Sequence, residues 1–275
     1  MGLLRQSSEM YALPRGYYGL SSILLLLALM ALAGITSIEQ LRYLAPGEWG
    51  NLLGLDRIPE VRTLREKLQI LCAQKGRAAQ WHTEMAKAWM GLQPAAEPMF
   101  YVDGHVRVYH GSLAQLPRRY VARQKLYLRA AVDYWINALD GQPFFYVNQQ
   151  IDHGLVQALR NDMAPWLEAN APISPEHQQR MDADPLTPRF TVVFDREAYS
   201  PDLFEELQQR RIAVLSYHRY PGEDWGAAEF EAQTVTLANG EIVEMKLAER
   251  GTRLPKGLWI REVRKWTSTG ERSRW

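Results

Sequence analysis

Phe190-Thr191-Val192-Val193-Phe194-Asp195 is a short strand signal that closes on a carboxylate. A strand without apolar–polar alternation is what a central parallel strand needs, because both of its faces are covered. Ser200-Pro201 then opens a helix that runs to about Arg210, with proline at the favoured first position. Ile212 to Tyr217 reads as the next strand. Upstream, residues 171–189 are polar and bounded by prolines, the pattern of a loop, and Ile151 to Ala169 has the period of a helix. Further back, Asp140-Gly141 is a hairpin turn between a strand at Leu126–Ile136 and one at Pro143–Val147. Met99–Asp103 and Val106–Tyr109 form an extended segment around Gly104-His105, where a glycine lets the backbone bend or something approach closely. Three strands are therefore expected to form an antiparallel meander. Beyond Gly222 the pattern is all β: Phe230–Leu237, an Asn239-Gly240 turn, Glu241–Leu247 and Leu258–Trp266.

The N-terminal third reads differently. Residues 16–38 carry no charge, but Gly16, Gly19, Ser21, Ser22, Gly34, Thr36 and Ser37 dilute both ends, leaving a continuous apolar run only from Ile23 to Ala33. That length suits a buried helix better than a span; a membrane span or a signal peptide ending near Ala31-Leu32-Ala33 are the alternatives. Residues 37–92 hold only helical patterns: Ser37–Tyr43, Glu48–Leu53, Val61 to about Gln74 with Val61, Leu64, Leu68 and Leu71 on one face, and Ala78–Met90 with Trp81, Met85 and Trp89 as a core stripe. The pair around Asp56-Arg57-Ile58-Pro59 is compatible with a helix-turn-helix, in which Arg57, Arg62 and Arg65 meet phosphates, or with a plain α-hairpin. A boundary is expected near Pro94 and Pro98, giving a helical region (1–97) and an α/β region (98–275) with a β-rich insertion from about 222.

The formal net charge of +1 over 275 residues neither favours nor excludes a nucleic-acid partner, so its distribution matters. Arg118, Arg119, Arg123, Lys125 and Arg129 form a basic cluster with no intervening acid, and a basic tail that includes Arg264 and Lys265 is interleaved with Trp259, Trp266 and Trp275. Such stretches suit a phosphate backbone, although a basic run alone is commonly just a solvated face. The single cysteine, Cys72, excludes an internal disulfide framework. The chain shows no glycine-rich phosphate loop, no serine elbow and no histidine spacing suited to a metal.

Three antiparallel strands, helix, strand, helix, strand is the order of a ribonuclease H-like mixed α/β fold. In it Asp103 falls on the first strand and Asp195 at the carboxyl end of the fourth, where ligands of open α/β sheets gather. Taken singly, each aspartate is an ordinary turn or cap residue; together they can bridge two Mg²⁺ or Mn²⁺ ions about 4 Å apart. Oxygen-only donors suit these ions rather than zinc. His105 either supports Asp103 or caps the turn.

Tyr101-Val102-Asp103-Gly104-His105-Val106, with Tyr109-His110-Gly111 after it, resembles the first-aspartate motif of insertion-sequence transposases with a DDE catalytic domain. Val192-Val193-Phe194-Asp195-Arg196-Glu197-Ala198-Tyr199-Ser200 resembles their second-aspartate motif, and Leu53-Gly54-Leu55-Asp56-Arg57-Ile58-Pro59 is similar to their N-terminal helical region. The resemblance implies metal-dependent DNA cleavage and strand transfer at transposon ends, with catalytic Asp103 and Asp195, two Mg²⁺ or Mn²⁺ ions and no small-molecule cofactor. It also implies a cytoplasmic, nucleoid-associated protein, and a partner that is DNA, a second copy or a full-length transposase. The family pattern adds a third acid, a glutamate on a helix after the β-rich insertion. Here the sequence reaches Thr267-Ser268-Thr269-Gly270 without it, as in a truncated and impaired copy; Glu223, Glu229 and Glu231 are poor substitutes. Without that helix, one face of the sheet around Phe194 and Tyr217 is expected to lie uncovered. A DNA-binding or transposase-binding remnant that inhibits transposition, and a membrane-anchored or exported protein, are the other readings.

Overall fold

The computed structural model describes residues 2–92, 98–111, 115–121, 124–149, 153–219, 222–237, 240–254, 257–266 and 273–274. Two compact units divide the chain, Met1–Trp89 and Met90–Trp275.

The first unit is all helical: α1 (Gly2–Met10), α2 (Leu20–Leu32), a 3-10 turn (Ile38–Tyr43), α3 (Pro46–Asn51), α4 (Val61–Cys72) and most of α5 (Arg77–Leu92). Helix α1 carried no readable sequence signal. Helix α2 is the apolar run, and Ile23, Leu26 and Met30 pack with Leu41, Ile58, Val61, Leu64 and Leu71 in one core. At 1.5 Å per residue its 13 residues span about 20 Å, short of a hydrocarbon core of about 30 Å. Among the described residues no helix is long and apolar enough to cross a membrane, which corrects the spanning alternative. Ser37 begins the 3-10 turn with a capping box to Gln40. The segment between α3 and α4 folds tightly onto α3: a Cβ on Gly50 would stand 2.5 Å from the backbone of Arg57, so only glycine fits there. Tyr18 donates to the Ile58 carbonyl (3.1 Å) and pins the same segment; burial raises its phenol pKa. Trp81 of α5 meets Tyr11 edge-on, centroids 5.8 Å apart.

The second unit is built on a mixed sheet of β1 (Met99–Val108), β2 (Arg118–Val121), β3 (Leu126–Asn137), β4 (Pro143–Gln149), β5 (Phe190–Phe194) and β6 (Ile212–Ser216). β3 is antiparallel to β1, β2 and β4, whereas β5 is parallel to β1 and to β6. The resulting order, β4-β3-β1-β5-β6, is the ribonuclease H-like arrangement. A helical segment joins β4 to β5 as α6 (Leu155–Ala158), one π turn (Leu159–Met163) and α7 (Ala164–Asn170). The wide turn precedes Pro165, which has no N–H to continue the regular ladder.

Residues 171–189 are not a plain loop. They contain α8 (Pro175–Ala183), started by Ser174, whose Oγ accepts from the His177 N–H at 3.1 Å. Its polar surface hid it in the sequence, because only His177 and Met181 turn inward. Helix α9 (Pro201–Gln209) is capped in the same manner by Ser200 and buries Leu203, Phe204 and Leu207.

Side-chain alternation gives the sheet two different faces. Phe100, Val102, Tyr134, Ile136, Phe190, Val192 and Phe194 are buried, and Phe194 lies against Phe204 of α9 at 6.1 Å between ring centroids. The opposite face carries Tyr101, Asp103, His105, Trp135, Tyr146, Val193 and Leu215, with Leu215 43% exposed. Among the described residues this is the more exposed face, and Phe194, expected on an uncovered one, is not part of it. Phe194 sits beneath α9, and the more exposed face belongs to its neighbours in the strand.

Residues 231–274 add an antiparallel sheet of β7 (Glu231–Thr236), β8 (Ile242–Arg253), β9 (Trp259–Lys265) and β10 (Ser273–Arg274), in the order β10-β9-β8-β7. Gly240 has φ +82°, as the hairpin requires; Asn239 lies outside the described residues. Trp225, Phe230 and Ala248 form its small core.

Candidate active site and nucleic-acid interface

Asp103 lies on β1, and Asp195 follows the end of β5, the strand parallel to β1. The parallel ladder of β1 and β5 pairs Phe100 with Val192 and Tyr101 with Val193. The ladder ends at this pair; Asp103 lies two residues beyond Tyr101 on β1, and Asp195 two residues beyond Val193, just past the end of β5. By alternation along β1, Asp103 shares the face of Tyr101. Asp103 and Asp195 are both exposed.

Local hydrogen bonds hold each of them. Asp103 Oδ1 accepts from the Gly104 N–H at 2.9 Å. Asp195 caps the short 3-10 turn Arg196–Ala198, its Oδ1 accepting from the Glu197 N–H at 2.8 Å. Ser216 Oγ on β6 donates to the Asp195 carbonyl at 3.2 Å, which ties the strand end to its neighbour. Gly104 is explained by Tyr134: a Cβ there would meet the fully buried ring at 3.0 Å. The close approach anticipated at this glycine is therefore an aromatic ring rather than a ligand.

His105 is exposed on the same face, in register with Asp133 of β3. Asp133 is 6% exposed and is held by Arg107 Nε at 3.2 Å and by the Asn148 amide. This buried carboxylate thus already has its own hydrogen-bonding partners.

Glu223, Glu229 and Glu231 do not join the aspartates. Glu229 accepts from the Gly226 N–H at 2.7 Å and from Arg250 Nε at 2.7 Å, and these bonds lower its carboxyl pKa. Glu231 lies on β7. The Glu223 carbonyl accepts from Arg264 at 2.9 Å. Sequence reasoning passed over Glu197, whose Oε2 lies 3.7 Å from where a Gly104 Cβ would stand. That places its carboxylate on the Tyr134 side of the sheet, opposite Asp103. Among the described residues, no three acids, histidines or cysteines converge on a common point.

The basic candidates separate. Arg62 pairs with Glu66 one helical turn away at 3.0 Å, and Arg65 pairs with Glu39; Arg57 is exposed beside Tyr18. Arg118 and Lys125 are exposed on the β2–β3 hairpin, Arg119 is half-buried, and Arg123 lies outside the described residues. Lys265 is half-buried on β9. Arg264 is a correction: it is 2% exposed, bonds Glu262 at 2.8 Å, and stacks over Trp225 at 4.1 Å. A guanidinium so enclosed is a structural pin and does not reach a phosphate.

A family model described as "Transposase protein" matches residues 1–274. Among curated proteins, none matches. Solved structures with detectable likeness include "Mos1 transposase paired-end complex with left transposon end", at 10% identity over 74% of this chain and 60% of that one, TM-score 0.26. Another is "Cryo-EM structure of piggyBac transposase synaptic complex with hairpin DNA (SNHP)", at 9% identity over 99% of this chain and 55% of that one, TM-score 0.43. A third is "Crystal structure of the Mos1 mariner paired end complex with Mn", at 10% identity, with coverage of 74% and 60% and TM-score 0.25. The chain thus spans 55–60% of the length of these structures.

Proposed function

The chain belongs to this family of transposase proteins, and on that premise we propose that residues 98–275 are a DDE-type catalytic unit in which Asp103 and Asp195 hold Mg²⁺ or Mn²⁺. The observation that supports the reading is that β1 and β5 are parallel neighbours, with Asp103 on one and Asp195 just past the end of the other. The donor set fits the ion. Both groups are hard oxygen ligands, and one oxygen of each takes a single local N–H. Held by these two carboxylates, the ion would keep several waters, as Mg²⁺ commonly does. When bound, it supplies a Lewis acid that activates a water or 3′-hydroxyl and steadies the leaving oxygen of a phosphodiester. The residues of this chain supply placement: β1 and β5 set the spacing, while the Glu197 and Gly104 N–H groups fix the rotamers. The substrate is DNA at transposon ends, and the helical unit, with Arg57, Arg62 and Arg65, is a second place for DNA to bind.

Calorimetric titration with Mn²⁺ tests this, comparing the wild type with Asp103→Asn and Asp195→Asn. Asparagine keeps the acceptor for the local N–H and removes only the charge. Binding that drops at least tenfold in both variants is expected, in line with the loss of one ligand. Binding indifferent to either change would remove the metal reading.

A further inference from the structure

We propose that the β2–β3 hairpin, Arg118–Arg129, is a docking arm for unpaired DNA, with bases stacking on Tyr120 and Tyr127 and phosphates held by Arg118 and Arg129. It rests on the reading that the chain handles DNA and deepens it by naming the form of DNA engaged. Register supplies the geometry: Arg118 faces Arg129 and Tyr120 faces Tyr127. Cross-strand partners share a face, so these four side chains form a ladder of two arginines and two tyrosines, with neighbours about 5 Å apart. Arg119 and Val121 turn to the other side, half-buried and buried.

All four ladder residues are exposed. Tyr120 is 51% and Tyr127 68% exposed, with ring centroids 5.4 Å apart. Two aromatic rings left in water on a two-stranded arm have no role in the core. The charge is equally one-sided. From Gly104 to Val132 the chain carries no acid, while Arg107, Arg118, Arg119, Arg123, Lys125 and Arg129 all fall within it. Neither Arg118 nor Arg129 makes an ion pair among the described residues. Lys125, with φ +53°, occupies the tip.

A cationic strip with interleaved aromatic faces is the chemistry of single-stranded nucleic-acid binding. Stacking accepts any base, and the guanidiniums follow the backbone. A double helix hides its base faces from such rings, so the two tyrosines favour DNA whose strands are parted, as they are beside a cleavage site.

The test is fluorescence anisotropy of the full-length chain with a single-stranded thymidine probe of about 12 nucleotides, within the range such a surface covers, and with a duplex of equal length. Tyr120→Ala combined with Tyr127→Ala is expected to weaken single-strand binding by about tenfold or more, with little effect on duplex. The two Tyr→Phe changes retain the rings and the binding. Arg118→Gln with Arg129→Gln is expected to flatten the logarithmic salt dependence of single-strand binding by about 1.4, the release of two phosphate contacts. Unchanged urea midpoints show that each variant is folded. Three results overturn the proposal: full single-strand binding without the tyrosines, equal loss for duplex and single strand, or loss in the phenylalanine variant. The readout does not use metal, so failure of the Asp103–Asp195 site and failure of the arm are separate outcomes.

Discussion

Replacing Gly104 by alanine tests whether the strand that carries Asp103 is held in place by one aromatic ring. The added Cβ would lie 3.0 Å from Tyr134 Cε1 and 3.3 Å from Cδ1. Relaxed carbon–carbon contacts are about 3.5–4.0 Å, so the ring or the strand must give by roughly half an ångström. Tyr134 is 0% exposed and sits in the middle of β3, between β1 and β4, so it has little freedom to swing away. Overpacking of this kind costs about 1–3 kcal/mol. Opposing it, alanine lowers the entropy of the unfolded chain, worth about 0.4–1 kcal/mol where φ is negative. The clash prevails, and a net destabilisation of about 1–2 kcal/mol is expected. Urea unfolding measures it as a fall in midpoint with unchanged slope. In a Tyr134→Leu background the ring is gone, and the same Gly104→Ala change should become neutral or slightly stabilising, which exposes the coupling directly. Stabilisation in the wild-type background, or an identical cost in both, would refute the close-packing account.

Three further outcomes follow from other parts of the structure. Glu168 is bound by Arg210 Nε at 3.0 Å, a bond that lowers its carboxyl pKa and raises that of the guanidinium. A depressed carboxyl contributes its full stabilisation above the ordinary glutamate pKa of about 4.3 and loses it as pH falls through the folded value. Between pH 6 and 3 the urea midpoint should fall more for wild type than for Glu168→Gln. Arg264→Ala leaves Glu262, 3% exposed, without its main partner, which should cost about 3–5 kcal/mol and leave the salt slope of DNA binding unchanged. Leu26→Ala in α2, fully buried, should cost about 2–5 kcal/mol by thermal unfolding; a loss below 1 kcal/mol would argue against the helix packing that buries it.

Element order was readable because each strand announced itself locally: Phe190–Phe194 by its unbroken run, β3 and β4 by the Asp140-Gly141 turn between them, α9 by Ser200-Pro201. From that order the ribonuclease H-like arrangement could be inferred, since it depends on sequence-local signals and on handedness rules general to α/β sheets. The apolar run of α2 likewise proved to be core. Helix α8 escaped notice because a helix that turns only His177 and Met181 inward has too weak an apolar period to read. Arg264 could not be told from a surface cation, because burial is set by what packs over a residue: Trp225 lies 39 positions away in the chain. The same limit hid the Tyr120–Tyr127 ladder, which exists only once β2 and β3 pair, and the more exposed face of the sheet, which depends on where α9 lands. Local composition therefore determined which elements form, while the choice of faces, burial of charge and assembly of exposed ladders came from long-range packing that the sequence encodes but does not display.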